Sequence, residues 1–420
     1  MAPPLVRHGK LDVYLLGRFA GKIEYVSHHN QMTFRYDETY ISQNDAIPLS
    51  HSLPFGLETF DSERTTNFFS NLLPAESVRK RLGLILHLSR HNIFGFLEAI
   101  GGDCAGAVSI QPEGQRPEDG ARERLLELDE EGADDILKSL PQRPLYAQGI
   151  EGYRISGAGA QSKLVARLAG GRIQLPLYGT PSTHIFKPEL KDFPESCHNE
   201  MFVMRLASAI GLPTAKCGIL RIKGLPYYFT ERFDREIVDG FVRRLHQEDF
   251  CQILDVDPEL KYECEAGPTF RSCTAAMREM NLGLRHQVNF IKRMIFNYLV
   301  GNADAHGKNS GILYRGKKAE LAPIYDVACT AVYPRLAQEN AMFVGGDRLM
   351  KNTTRDSFVR MAGECGADGR IVLDYLDAMA GAIVPAAKNL AEELSDGGEP
   401  SPVYADIVKV VEKQIARVAK

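Results

Sequence analysis

The chain has no uninterrupted apolar run near the ~18 residues that a membrane-spanning helix requires, so no membrane span is expected. Met1 to Lys22 interrupts its short apolar runs with Arg, His, Lys and Asp. It offers no continuous h-region, and no signal peptide is expected. None of the eight cysteines stands in a C-x-x-C pair. Their scatter reads as reduced cytosolic thiols rather than a disulfide framework or a zinc site, so the expected compartment is cytoplasmic. Basic residues are not in excess: 50 Lys and Arg against 54 Asp and Glu leave a net charge of −4. The protein as a whole is therefore not a natural nucleic-acid binder, although a local basic patch remains open. No internal repeat and no low-complexity segment is visible. What is present is an ordinary globular composition, 44% hydrophobic and 25% charged over 420 residues, enough for a large core and two or three domains.

Four regions follow from the patterning. Residues 1–110 read as a small N-terminal α+β domain. Leu11 to Leu16 and Met32 to Tyr36 alternate like strands, and Phe68 to Ile100 is mainly helical. Residues 111–148 are turn-rich and polar, then strongly acidic. They read as a linker or bridging element with a charged helix through Leu125 to Glu131, its acidic run a solvated face. Residues 149–234 are strand-rich, with strands at Lys163 to Leu168, Thr183 to Lys187, Ile219 to Ile222 and Tyr227 to Thr230 around a helix from about Pro194 to Ile210. Residues 235–420 read as mainly helical. The expected fold is α+β: a strand-rich N-lobe and a helical C-lobe with a cleft between them, behind the small N-terminal domain.

The chemistry concentrates after one helix. Val288, Ile291, Ile295, Tyr298 and Leu299 share a helical face, and Gly301 sits where the helix should end. A polar loop follows, Asn302-Ala303-Asp304-Ala305-His306-Gly307-Lys308-Asn309, then a hairpin around Arg315 to Lys318, then Tyr325-Asp326-Val327. A lone Asp five residues before an Asn, with a second Asp beyond a hairpin, is the protein-kinase order of base, metal-binding Asn and metal-binding Asp. Asp304 would accept a hydroxyl proton, and Asn309 and Asp326 would hold Mg²⁺ through oxygen. Lys308 would neutralise charge on the transferred phosphoryl group, and His306 would orient the loop or act beside Asp304.

Upstream, Lys187 ends an apolar strand, where kinases place the lysine that meets the α- and β-phosphates. Glu200, on the next helix, is either its ion-pair partner or a plain solvated Glu. The turn Ser156-Gly157-Ala158-Gly159-Ala160 would lay backbone N–H groups on phosphate; it is not a Walker A motif and lacks the third glycine of the kinase loop. Glu231, Phe233 and Asp234 fall on a crossing segment that would offer backbone to an adenine and the Asp234 carboxylate to a ribose.

Taken together, Ser156 to Lys163, His184-Ile185-Phe186-Lys187-Pro188, Glu231 to Arg235, Arg244 to Phe250, Gly301 to Asn309 and Tyr325-Asp326 resemble the HipA-like serine/threonine kinases, toxins of bacterial type II toxin–antitoxin modules. The resemblance implies a two-lobed protein-kinase-like fold, with ATP and Mg²⁺ as cofactors. By position it makes Lys187 the ATP lysine, Asp304 the catalytic base, Asn309 and Asp326 the Mg²⁺ ligands, and Glu231, Phe233 and Asp234 the nucleotide hinge. Ser156 matches the serine that the family autophosphorylates, a self-inhibiting switch. The resemblance further implies a helix-turn-helix, HipB-like antitoxin as partner, contact with operator DNA through that antitoxin, and an aminoacyl-tRNA synthetase, notably the glutamyl enzyme, as target, with growth arrest and persistence as the outcome. Tyr-Asp-Val in place of D-F-G, and a Lys four residues after the Asp, agree with this family. Ser162 stands where Glu is expected in the nearest members. Two other readings stay open from sequence: a small-molecule or lipid kinase of the same fold, and a non-enzymatic corepressor.

Overall fold

The computed structural model describes residues 8–26, 31–117 and 123–419. The N-terminal part is a four-stranded antiparallel sheet in the order Gln31–Tyr36, Arg18–Val26, His8–Leu15, Val108–Pro112. Alternation is cleanest in Gln31–Tyr36, where Met32, Phe34 and Tyr36 are buried and their neighbours are not. The helices Ser62–Asn71, Glu76–Leu86 and Ile93–Ile100 supply Phe68, Phe69, Leu82, Phe96 and Leu97 to its core. Asp61 and Asn92 cap the first and third of these by accepting backbone N–H groups.

The strand-rich N-lobe is a six-stranded antiparallel sheet in the order Arg124–Glu127, Arg172–Leu177, Leu164–Ala169, His184–Pro188, Leu225–Glu231, Cys217–Ile222. Here one sequence expectation is corrected. The charged helix predicted through Leu125 to Glu131 is instead the edge strand Arg124–Glu127 followed by the helix Glu130–Ser139. The strand has a backbone partner in Arg172–Leu177, and Asp129 caps the helix by accepting the Gly132 N–H at 2.8 Å. Together these outweigh the modest helix propensity of a Leu-Glu run.

Beyond Asp234 the chain carries more sheet than expected. There is a hairpin, Arg235–Val238 with Phe241–Arg244. A three-stranded sheet follows, in the order His246–Asp249, Gly311–Arg315, Lys318–Leu321, and a short pair joins Glu339–Val344 to Asp347–Leu349. Around them stand the helices Phe270–Glu279, Leu284–Leu299, Arg355–Glu364, Gly369–Asp396 and Val403–Val418. The fold is the two-lobed, protein-kinase-like α+β arrangement behind a smaller α+β unit.

The seam between the N-terminal unit and the rest is polar and buried. Asp103 sits in a cage of Arg232, Arg235 and Arg244 at 2.8–3.4 Å, and Asp234 binds Arg232 and Arg235 and accepts the Gly106 N–H at 2.7 Å. The arginines overcome the cost of burial and hold Asp103 far below the usual carboxylate range. At a second point Glu248 accepts Ser50 Oγ at 2.5 Å, the His51 N–H and the Tyr314 hydroxyl.

Candidate active site

Lys187 leaves the strand His184–Pro188 into a buried position. Its Nζ lies 2.6 Å from Glu200 Oε1 and 2.5 Å from Asp326 Oδ1, and 5.5 Å from the Tyr228 ring centroid. Burial works against its charge, but the Asp326 and Glu200 carboxylates outweigh it and Lys187 is held charged. Burial pushes the Glu200 carboxyl up to about 7, against the pull of Lys187. For Asp326, Lys187 and then Lys163 outweigh desolvation and hold the carboxyl below its ordinary range. Glu200 is thus a buried ion-pair partner rather than a solvated side chain. The helix Ser196–Ala209 presents it from an unbroken buried stretch, Cys197 to Met204, and the adjacent Asn199 makes two bonds to the Cys329 backbone, at 3.0 and 2.8 Å. One helix therefore fixes both the lysine and the segment just after Asp326.

The catalytic-loop candidate is built on the end of Leu284–Leu299. Gly301 has φ +68°, and a Cβ there would lie 2.7 Å from Ala331 Cβ and Val410 Cγ1, so the turn requires glycine. Asn302 bonds back to Asn297 Oδ1 at 2.9 Å, and its own Oδ1 accepts the Asp304 N–H at 3.0 Å. Asn309, buried, donates to the Asp304 carbonyl at 2.8 Å, leaving its Oδ1 outside that bond. The Asp304 carboxylate is half-exposed; its Oδ1 accepts the Tyr262 hydroxyl and lies 3.5 Å from His306 Nε2. Burial pushes buried His306 down to about 4, so it is a neutral imidazole, and its Nδ1 has no hydrogen-bond partner among the described residues.

The two loops are bonded together. The Tyr325 hydroxyl donates to the Lys308 carbonyl at 2.8 Å, which places Asn309 and Asp326 one residue away on either side of that bond. Asp326 has φ +56°, a left-handed conformation that Asp tolerates better than most residues and that is typical of functional turns. The donor pair suits Mg²⁺: both supply hard oxygen, and two protein ligands leave room for phosphate oxygens and water. Among the described residues no group of three or more His, Cys, Asp or Glu is placed to hold a metal ion.

Other predicted residues fall differently. Lys308, expected to face a phosphoryl group, spends its Nζ on the Asn71 carbonyl at 3.1 Å, the Asn71 Oδ1 and Asp249 at 2.8 Å, and is nearly buried. Asp234, expected to face a ribose, has its carboxylate taken up by Arg232, Arg235 and Gly106. Glu231 is half-exposed beside Lys216. Phe233 packs on Tyr325, ring centroids 5.1 Å apart, next to Asp326. In the glycine turn, Ser156 is buried and donates to the Leu72 carbonyl, and the Gly159 carbonyl accepts the Ala75 N–H at 3.1 Å, so the turn lies against the N-terminal unit. A Cβ on Gly157 would meet Leu145 at 2.7 Å, and one on Gly159 would meet Lys163 Nζ at 2.9 Å. Ala158 offers its carbonyl to Lys163 Nζ, and Ala160 follows.

Two residues of this site carried no functional expectation from sequence. Lys163 was visible only as the end of the glycine run; it is buried under that turn, and burial, then Lys187, push it down to about 8. Tyr262 had no local signal at all.

Residues 11–111 match the HipA N-terminal domain and residues 155–387 the HipA-like C-terminal domain. The chain is 40% identical to Y4mE of Sinorhizobium fredii over 391 residues, 92% of this chain and 93% of that one. It is 28% identical to the serine/threonine-protein kinase toxin HipA of Shewanella oneidensis over 350 residues, 80% and 78% of the two chains. Among solved structures, the Shewanella oneidensis toxin–antitoxin complex of HipA, HipB and operator DNA contains a chain that superposes with a TM-score of 0.83 at 25% identity, covering 97% of this chain and 96% of that one. With both characteristic domains present in order, the chain belongs to the HipA family.

Proposed function

We propose that this protein is an ATP-dependent serine/threonine-protein kinase toxin, and the observation that carries the reading is Lys187 held between Glu200 and Asp326, with the Asp326 loop bonded to the Asp304–Asn309 loop. In phosphoryl transfer the protein's work is positioning and charge neutralisation. Lys187 meets the ATP phosphates and Glu200 keeps it aimed. Asn309 and Asp326 would hold Mg²⁺, which when bound would neutralise charge on the phosphates. Asp304 takes the proton of a serine hydroxyl. Phe233, packed against Tyr325, carries the hinge to the Asp326 loop; Lys308 pins the catalytic loop to Asn71 and Asp249 rather than touching phosphate. His306, neutral and buried, supports Asp304.

The target is a protein serine on an aminoacyl-tRNA synthetase such as the glutamyl enzyme, and the outcome is growth arrest. The HipA neighbour solved with HipB and operator DNA supports a HipB-like antitoxin partner, operon co-repression and DNA contact through that partner. The proposed place of action is the cytoplasm; no described helix is long and apolar enough to cross a membrane. Autophosphorylation falls on Ser156. Its hydroxyl lies buried on Leu72, so a dianion there would break that contact and force the glycine turn out of the cleft.

The test is intact-mass and phosphopeptide analysis after incubation with MgATP, wild type beside Asp304→Asn. One phosphate on Ser156, absent from the variant, is expected. No phosphate on a wild-type sample shown to start unmodified would favour a small-molecule kinase or a corepressor.

A further inference from the structure

Between the helices Phe250–Ile253 and Phe270–Glu279, residues 257–267 form a strap of two 3-10 turns, Pro258–Leu260 and Glu263–Glu265. The strap closes on itself through the Gly267 N–H and the Tyr262 carbonyl at 2.9 Å, so tightly that a Cβ on Gly267 would lie 2.2 Å from the Leu260 carbonyl oxygen. It is fastened at three points. Glu259 accepts the Glu76 N–H at 2.9 Å and pairs with Arg79 at 3.3 Å. Glu263 accepts the Phe343 N–H at 2.6 Å. The Lys261 carbonyl accepts the Gly307 N–H, inside the catalytic loop, at 3.2 Å.

From the middle of this strap Tyr262 reaches Asp304. Its hydroxyl donates to Oδ1, and its ring stands edge-on to His306, centroids 5.0 Å apart at 87°. Asn302 and Asn309 bond to the Asp304 backbone and fix where the residue sits, not which way its carboxylate turns. His306 Nε2, at 3.5 Å, lies at the outer limit of a hydrogen bond. The phenol is therefore the close contact on the carboxylate itself.

We infer that Tyr262 is a positioning residue for the base Asp304, an inference that rests on the kinase reading above. By engaging Oδ1 it turns Oδ2 toward the entering hydroxyl. That hydroxyl oxygen bonds to the γ-phosphorus as the bond to the ADP oxygen breaks; the proton goes to Asp304 and ADP leaves. The strap is anchored on Glu76 and Arg79, and Ala75 just before them holds the Gly159 carbonyl. One short piece of the N-terminal unit thus sets both the glycine turn and the base.

The test is Tyr262→Phe, which removes the hydroxyl and keeps the ring on His306. Turnover of MgATP is followed as phosphate incorporated into the chain plus phosphate released, ATP affinity by calorimetry, and folding by thermal melting. Misaiming a base by a fraction of an ångström lowers kcat about 10- to 100-fold. KM and Kd for ATP stay within about two-fold, because the Lys187 side of the cleft is untouched, and the melting temperature holds. Wild-type kcat in Tyr262→Phe overturns the inference alone. A kcat loss matched by equal losses of ATP affinity and melting temperature also overturns it, since that is a structural role. A wild-type protein with no turnover at all overturns the kinase reading, and this inference with it.

Discussion

Replacing Glu200 with Gln separates what the Lys187 pair does for nucleotide binding from what it does for stability. Glu200 Oε1 lies 2.6 Å from Lys187 Nζ, and both side chains are buried. Burial raises the Glu200 carboxyl from an ordinary 4.5 to about 7. A displacement of that size corresponds to about 3 kcal/mol that the ionised carboxylate costs the folded state. Gln has the same shape, needs no ionisation, and still accepts from Lys187 through its Oε1. Glu200→Gln should therefore leave stability unchanged or raise it by ~1 kcal/mol near neutral pH. The pH dependence has a definite sign. A carboxyl raised in the folded state supports the fold fully below 4.5 and loses that support as pH climbs to about 7, so the wild type should weaken across this window and the variant should lack that slope. Nucleotide binding responds oppositely. The ion pair holding Lys187 becomes a hydrogen bond from the ammonium to a neutral amide oxygen, which is weaker. The loss is about 1 kcal/mol, or ~5-fold weaker MgATP binding. Urea unfolding at pH 5 and pH 8, with calorimetric titration of MgATP, reads both effects. Destabilisation beyond about 2 kcal/mol at pH 8, or unchanged MgATP affinity, would refute the reasoning.

Asp103→Asn removes the carboxylate that Arg232, Arg235 and Arg244 share in a buried seam, leaving Asp234 to Arg232 and Arg235, and chemical denaturation should show a loss of about 3–5 kcal/mol. Glu248→Gln removes a carboxyl that burial pushes up to about 7, against its bonds to Ser50 and Tyr314. Melting temperatures followed from pH 5 to pH 8 should flatten in this variant, because the wild-type group loses its stabilising protonated form as pH rises. Gly301→Ala meets both a φ of +68° and a Cβ 2.7 Å from Ala331, so it should cost about 2 kcal/mol or more in urea unfolding and lower kcat by displacing Asp304.

Much of the site was legible because it is carried by short segments whose order is itself informative. Asp304, Asn309 and Asp326 need only a helix end, a turn and a hairpin to converge, and the apolar stripe ending at Leu299 with Gly301 behind it announces that geometry. Strands were readable where one face is buried, as at Met32-Thr33-Phe34, and misread at Leu125–Glu127, where both leucines stay partly exposed and a neighbouring strand supplies the preference.

What local pattern does not carry is the destination of a polar side chain. Lys308 sits in a phosphate-binding context by sequence, yet bonds to Asn71, 237 positions away. Asp234 looks available on its own segment and is consumed by arginines that Asp103 also binds. Tyr262, 42 positions from Asp304, reaches it only because a strap is pinned to Arg79. The sequence by itself determined the family, the two lobes and the order of Lys187, Asp304, Asn309 and Asp326 along the chain. Those depend on residue type and spacing along the chain. Which charges are spent in the interior and which remain at the cleft was decided only by the tertiary structure. A buried charge must find its partner wherever packing places one.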